Sequence, residues 1–188
     1  MKSFIDKHAL KFIIGFVMVF LIRLLPFRPP NVEPVMTTMM PFAKRFGPLS
    51  GFLFAFLAIV LFDLFTMRVG IWTLITALAY GSLGIAAYYF FKNRESRPRN
   101  YVIFAVFGTL FYDAVTGLTI GPLFWGQPFM VALTGQIPFT ILHLVSNVTF
   151  AAVVSPLLYK WVVQQEDLSL TRVRASTVHL FNKFRVAR

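Results

Sequence analysis

The fold class of this chain is decided by residues 51–72, which read GFLFAFLAIVLFDLFTMRVGIW. As a helix, a largely apolar segment of about 20 residues is long enough to cross the roughly 30 Å hydrocarbon core of a membrane. The segment ends with Asp63 and Thr66, which are three residues apart and therefore share one face of a helix. This stretch predicts a transmembrane helix with polar side chains near one end.

The same pattern returns later in the chain at a constant offset of 50 residues. The matched pairs are Phe54/Phe104, Ala55/Ala105, Asp63/Asp113 and Thr66/Thr116. An apolar composition supplies matching Phe and Ala residues by itself, but it does not supply two Asp-x-x-Thr motifs. The pattern therefore predicts a weak internal repeat, in which a membrane unit is duplicated.

The composition of the 188-residue chain indicates a membrane protein, because 57% of its residues are hydrophobic and only 13% are charged. A soluble domain of this size needs more polar surface, so we predict an all-α, polytopic membrane protein. The chain has no cysteine, and we expect no disulfide, no metal site and no cofactor. The chain has a net charge of +11, and most of its charged residues lie outside the apolar segments. In that position they indicate membrane orientation rather than binding to nucleic acid.

Six apolar segments form one predicted transmembrane domain, residues 1–163. The segments are residues 12–27, 33–45, 47–66, 71–91, 101–116 and 131–163. The remaining tail, residues 164–188, has apolar residues at helical spacing with basic residues among them. This pattern is typical of an amphipathic helix on anionic lipid, and a disordered basic tail is the alternative.

The positive-inside rule predicts the topology of these segments. If all six cross the membrane, 15 of the 18 Lys and Arg residues lie in the cytoplasm, and only Arg23, Arg28 and Arg68 lie outside. If the short second segment re-enters instead, the charged loop 92–99 lies opposite the basic amino terminus. We therefore expect six transmembrane helices in a cell membrane, with both termini in the cytoplasm.

Three acids, Glu33, Asp63 and Asp113, fall at the predicted outer ends of helices. An ionisable group at membrane depth costs roughly 2.5–3.5 kcal/mol on the insertion scale, so it normally faces a partner or a wet cavity. We expect an outward-facing polar pocket, and in the alternative the acids only pair with Arg23, Arg28 and Arg68. The candidate substrate-binding residues are Asn31, Glu33, Asp63, Thr66, Trp72, Asp113, Thr116, His143 and Asn147.

Several short motifs resemble those of the S components of energy-coupling factor (ECF) vitamin transporters. They are NVEP at residues 31–34, PLSGF at 48–52, FD at 62–63, GIWT at 70–73 and YG at 80–81. The resemblance covers about residues 10–163. It implies six helices, a vitamin-like ligand held near the extracellular face, and import driven by a membrane T subunit with two cytoplasmic ATPases.

One departure qualifies that resemblance. Family members often carry an Ala-x-x-x-Ala ridge on helix 1 for docking to the T subunit, whereas helix 1 here reads KFIIGFVMVFLIRLL. The chain also has no Walker A motif, so any ATP must be hydrolysed by a partner.

Three other classes of protein compete with a transporter subunit. Phe139, His143 and Asn147 are spaced like part of the CAAX-protease set, but the paired Glu-Glu-x-x-x-Arg motif of such an intramembrane hydrolase is missing. A non-transporting scaffold of MreD-like type is also small and helical, but it needs no buried outer acids. A stand-alone carrier or channel needs a continuous polar path, which the segments do not indicate. We therefore predict a binding subunit that is not an enzyme.

Overall fold

This computed structural model describes residues 2–27 and 31–169. Its helices are α1 (Lys2–Arg23), α2 (Pro34–Phe46), α3 (Pro48–Phe65), α4 (Ile71–Phe91), α5 (Pro98–Gly117), α6 (Ile120–Trp125) and α7 (Phe129–Leu158). A π-helical turn, Tyr159–Val163, continues α7. No strand occurs within the described residues. The predicted tail, residues 164–188, lies outside them from residue 170 onward, so neither an amphipathic helix nor a disordered tail is described there.

The helix bounds differ from the predicted segments at three places. Helix α1 begins at Lys2 rather than at residue 12, because a helix tolerates the charged residues that ended the apolar segment. Helix α5 begins at Pro98, three residues before the apolar run. The connection between the predicted segments 101–116 and 131–163 contains the short helix α6.

Proline opens three of the helices, α2 at Pro34, α3 at Pro48 and α5 at Pro98. Proline suits the first turn of a helix. The backbone N–H groups of that turn have no hydrogen-bond partner within the helix, so the N–H that proline lacks is not missed there. Pro48 and Pro98 are also 50 residues apart, so they extend the sequence repeat to the starts of α3 and α5. Of the matched pairs, the Phe, Ala and Asp residues are all buried.

Helix α2 is the centre of the bundle. It packs against α1, α3, α4, α5 and α7, and every residue from Pro34 to Ala43 is buried. Its 13 residues rise only about 20 Å, less than the thickness of a bilayer core. Three methionines, Met36, Met39 and Met40, fill the space between the longer helices, a role that suits their flexible side chains.

Helices α3 and α4 approach each other closely at two glycines. A Cβ atom added to Gly84 would lie 2.3 Å from the carbonyl carbon and oxygen of Gly51. The main chains therefore touch, and any larger residue at Gly84 would force the two helices apart.

Four helical stretches are long and apolar enough to cross a membrane: Pro48–Phe65, Ile71–Phe91, Pro98–Trp125 and Phe129–Val163. Helix α2 is too short to be counted with them, and α1 carries Asp6, Lys7 and Lys11 in its first half. Six crossings with both termini inside stay a prediction.

Basic residues from distant parts of the chain meet at one end of the bundle, which we call the lysine end. Lys11 Nζ donates to the Val163 carbonyl at 2.8 Å. Lys44 Nζ donates to the Phe91 carbonyl at 3.1 Å and to the Arg94 carbonyl. These contacts place Lys11 of α1, the end of α2, the α4–α5 loop and the end of α7 at the same end of the bundle.

Candidate functional site

A deeply buried polar pair joins α5 to α7. Asp113 Oδ1 lies 2.7 Å from His143 Nδ1, and the two residues are only 1% and 2% exposed. The remaining polar atoms, Asp113 Oδ2 and His143 Nε2, are buried without a hydrogen-bond partner among the described residues. The pair therefore still has hydrogen-bonding capacity that its own structure does not use.

A second polar pair stacks one helical turn away. Asn147 Nδ2 donates to Thr109 Oγ1 at 2.8 Å, and Asn147 is fully buried. Because residues 109 and 113 are four apart on α5, and residues 143 and 147 are four apart on α7, both pairs lie in one seam between the helices. Asn147 Oδ1 is again buried without a partner within the described part of the chain.

Aromatic rings border this seam. The Tyr80 and Tyr112 ring centroids are 4.2 Å apart, and Tyr112 contacts the His143 ring edge-on at 5.7 Å. Phe139 contacts the other side of His143, also edge-on, at 5.8 Å. The Tyr80 hydroxyl is buried and has no hydrogen bond in the described ranges. Buried polar atoms without hydrogen-bond partners thus lie beside the flat faces of aromatic rings.

Asp63 has a different environment, at the junction of α3 and α4. Thr73 Oγ1 donates to Asp63 Oδ2 at 2.6 Å and accepts from the Gly70 N–H at 3.1 Å. This arrangement caps the first turn of α4 and ties it to the last turn of α3. The local role of Asp63 is therefore to fix a helix junction.

Of the three arginine pairs that we considered, one is present. Arg23 Nε lies 3.9 Å from Glu33 Oε1, and the Arg23 guanidinium lies 4.0 Å from the centre of the Phe62 ring. Arg23 Nε and Nη1 are buried and have no hydrogen bond to any described residue. Within residues 2–27 and 31–169, neither Asp63 nor Asp113 forms an ion pair with an arginine. Arg28 lies outside the described residues.

These separate contacts belong to one region. Arg23, Glu33, Asp63 and Asp113 all lie within electrostatic range of the Tyr112 hydroxyl. The α5–α7 seam, the Asp63–Thr73 junction and the Arg23–Glu33 pair therefore form one cluster of polar side chains, at the end of the bundle opposite the lysine end. We call this cluster the polar chamber.

The other predicted residues lie around the chamber rather than in the seam. Thr66 Oγ1 donates to the Phe62 carbonyl at 2.9 Å, and Thr116 Oγ1 donates to the Tyr112 carbonyl at 2.8 Å. Neither hydroxyl bonds the aspartate side chain of its own motif. Asn31 Nδ2 donates to the Phe139 carbonyl at 3.1 Å.

Trp72 also lies outside the seam and is 40% exposed. Its ring centroid is 6.0 Å from that of Trp125, and its Nε1 donates to the Arg68 carbonyl at 3.1 Å. Paired, half-exposed tryptophans are typical of the membrane interface.

Sequence reasoning left three residues of the chamber out of the site: Tyr80, Tyr112 and Thr109. Thr109 carries a usable signal, because it lies four residues before Asp113 and therefore on the same face of α5. Tyr80 and Tyr112 each carry one hydroxyl group in an otherwise apolar helix. That pattern does not distinguish a tyrosine of the core from a tyrosine that binds a ligand.

The described residues contain no group of three His, Asp and Glu side chains that could hold a metal ion. In comparisons with known proteins, the family described as "ECF-type riboflavin transporter, S component" matches residues 8–164 of this chain. No curated protein and no solved structure matches the chain.

Proposed function

The chain belongs to the ECF-type riboflavin transporter S component family, and from that premise we propose that it binds riboflavin or a closely related flavin in the polar chamber. Members of the family are substrate-binding subunits of vitamin transporters. This chain is accordingly an integral protein of the plasma membrane and not an enzyme. A hydrolase built on His143 and Asn147 and a non-transporting scaffold do not fit this family.

The observation that carries the proposal is the set of buried polar atoms without partners around Asp113 and His143. A buried polar atom without a hydrogen bond costs about 1–3 kcal/mol, so native structures contain few of them. Their concentration in one place indicates a surface that a ligand completes. Asp113 Oδ2 and Asn147 Oδ1 are acceptors, whereas Arg23 supplies donors.

The chemistry of a flavin fits this surface. Its three fused rings present flat faces that suit the rings of Tyr80, Tyr112 and Phe139. One edge of the ring system carries amide-like donors and acceptors, and its polyol side chain carries hydroxyls. Both can bond the unpartnered atoms of the α5–α7 seam and of Arg23.

We further propose that the chamber opens to the outside and that ATP is used by partners. The chamber lies opposite the lysine end, which the positive-inside rule assigns to the cytoplasm. The family works with a T subunit and ATPases, and this chain has no Walker A motif of its own.

The outer face of helix α1 is a candidate docking surface for the T subunit. Ile13, Val17 and Leu21 recur every four residues on its outer face and are 50%, 50% and 63% exposed. With Phe16, Phe20 and Leu61 they line a wholly apolar groove of about 450 Å³. We propose that branched aliphatic side chains here take the place of the alanine ridge.

The binding proposal is tested by titrating detergent-purified protein with riboflavin and following quenching of the flavin fluorescence. We expect saturable binding that His143→Ala weakens and Thr149→Ala leaves unchanged. Thr149 is the matched control, because it lies on the exposed face of the same helix and bonds only the Val145 carbonyl. Equal affinity of both variants would contradict the assignment of the site.

Transport is tested in proteoliposomes. Protein reconstituted alone should bind riboflavin without accumulating it, and adding the T subunit and ATPases should give ATP-dependent uptake. Ile13→Asp/Val17→Asp should abolish that uptake while riboflavin binding persists. Concentrative uptake by the lone chain under a sodium or proton gradient would establish the carrier alternative instead.

A further inference from the structure

A second cavity, of about 530 Å³, lies at the lysine end, away from the polar chamber. Its walls come from three separate parts of the chain: the end of α2, the α4–α5 loop, and the junction of α7 with the π-helical turn. The side chains that matter here are Lys44, Ser96, Leu157, Tyr159, Lys160 and Gln164. We call it the lysine cavity.

The lysine cavity is positively charged. Lys44 and Lys160 both line it, and its acidic lining residue, Glu95, is already paired, with Glu95 Oε2 2.5 Å from Arg97 Nε. The carboxylate is thus shared with an arginine outside the lining, so the basic groups here outnumber the single acid. Two ammonium groups remain in a partly enclosed space, an arrangement that favours an anion.

Lys44 is held in place by uncharged partners. Its ammonium donates to two carbonyls, those of Phe91 and Arg94, and lies 5.7 Å from the centre of the Tyr159 ring. These three partners orient the ammonium without cancelling its charge, and the nearby Glu95 carboxylate favours its charged form. Since an ammonium has three N–H donors, one remains for a ligand.

The position of the cavity identifies the kind of anion. Trp161, next to Lys160, is 60% exposed, and tryptophan at the end of a membrane helix marks the headgroup region. From Leu157, 38% exposed, the outward face of α7 continues through Val153, 55% exposed. A charged headgroup in the cavity would therefore place its acyl chains along an apolar helix face.

We propose that the lysine cavity binds the phosphate of an anionic phospholipid headgroup. Lys44 and Lys160 contact the phosphate, Ser96 and Gln164 bond the headgroup oxygens, and the acyl chains lie along α7. This site is separate from the basic tail, and it stands independently of the flavin proposal, because it uses no residue of the polar chamber.

The test compares lipid retention by native mass spectrometry of detergent-purified protein given equal amounts of phosphatidylglycerol and phosphatidylcholine. Wild type should retain phosphatidylglycerol selectively, and Lys44→Gln/Lys160→Gln should lower that retention about thirtyfold, the scale expected for losing two basic contacts. Lys92→Gln/Arg99→Gln is the matched control: it removes the same charge from exposed positions of the same end, outside the cavity lining. Equal losses in both double variants would overturn the site, since only general surface charge would then matter.

Two further measurements distinguish the lipid proposal from its alternatives. Lys44 also caps the end of α4, so Lys160→Gln alone, which leaves that cap intact, should still lower retention severalfold; unchanged retention would overturn the proposal. Inorganic phosphate at millimolar concentration should not displace the lipid, and displacement would reassign the cavity to a free anion. If the double variant retains lipid but fails to assemble with the T subunit, the cavity is a protein contact and the lipid proposal is wrong.

Discussion

The two Asp-x-x-Thr motifs are alike in sequence but have different environments in the structure. Asp63 lies two residues before the end of α3 and bonds a threonine that caps the next helix. Asp113 lies inside α5, is 1% exposed, and bonds a histidine of α7. One carboxylate is used by the fold, whereas the other keeps an oxygen without a partner.

This difference separates stability from binding. In Asp63 the bonded oxygen completes a hydrogen-bonded cap, so the residue needs no ligand. In Asp113 the pairing with His143 leaves one acceptor and one ring nitrogen buried and unused. The first Asp-x-x-Thr motif thus supplies a structural joint, and the second supplies a candidate ligand contact.

The largest expected effect follows from removing the second carboxylate. Asp113→Ala takes away one candidate ligand contact and leaves His143 Nδ1 without its partner, so riboflavin affinity should fall about 30- to 150-fold, or roughly 2–3 kcal/mol. Asp63→Ala should change the affinity less than about threefold. Fluorescence titration of both variants makes the comparison, and equal losses of affinity would remove the distinction between the motifs.

The reverse contrast is expected for stability. Asp63→Ala leaves Thr73 without its acceptor and should lower the free energy of unfolding by about 1–3 kcal/mol, seen as a melting temperature several degrees lower. Thr73→Val should have a similar effect, and the double variant should be little worse than either single one, because both remove the same bond. Additive losses would show that Asp63 and Thr73 act separately.

The sequence predicts which polar residues form the chamber better than it predicts the contacts among them. Glu33, Asp63, Asp113, His143 and Asn147 were all expected near one another, because each is a costly polar group in an apolar setting. The pairing of Asp113 with His143 was not predictable, since it joins helices 30 residues apart and depends on their rotation. The spacing of the motifs suggested that Asp and Thr act together, but each Thr bonds a carbonyl of its own helix.

The fold shows the same limit. The sequence predicts a short second segment, residues 33–45, yet nothing in it indicates that this short helix is the centre of the bundle. Its position follows from the contacts of all the longer helices at once. Likewise the role of Gly84 depends on Gly51, in a different helix.

A smaller effect is expected at the second pair of the seam. Thr109→Val removes the acceptor of Asn147 Nδ2 and should weaken riboflavin binding about fivefold, because Asn147 is then free to rotate away from the ligand. Thr38→Val is the control: its hydroxyl is also buried, but it bonds only the Pro34 carbonyl of its own helix. A larger loss of affinity in Thr38→Val would place the ligand against α2 instead.

The smallest effects are expected at the threonines of the motifs, and they provide the finest test of the comparison. Thr66→Val and Thr116→Val keep the shape of the side chain and remove only a hydroxyl that bonds a carbonyl one turn earlier. Since that carbonyl is also part of the helix, each substitution should cost less than about 1 kcal/mol of stability and less than about twofold in affinity. Thr116 is the more buried of the two, at 9% exposure, and lies one turn after Asp113. If Thr116→Val alone weakens riboflavin binding more than fivefold, its hydroxyl contacts the ligand, and the whole second motif, not Asp113 alone, has become the binding copy.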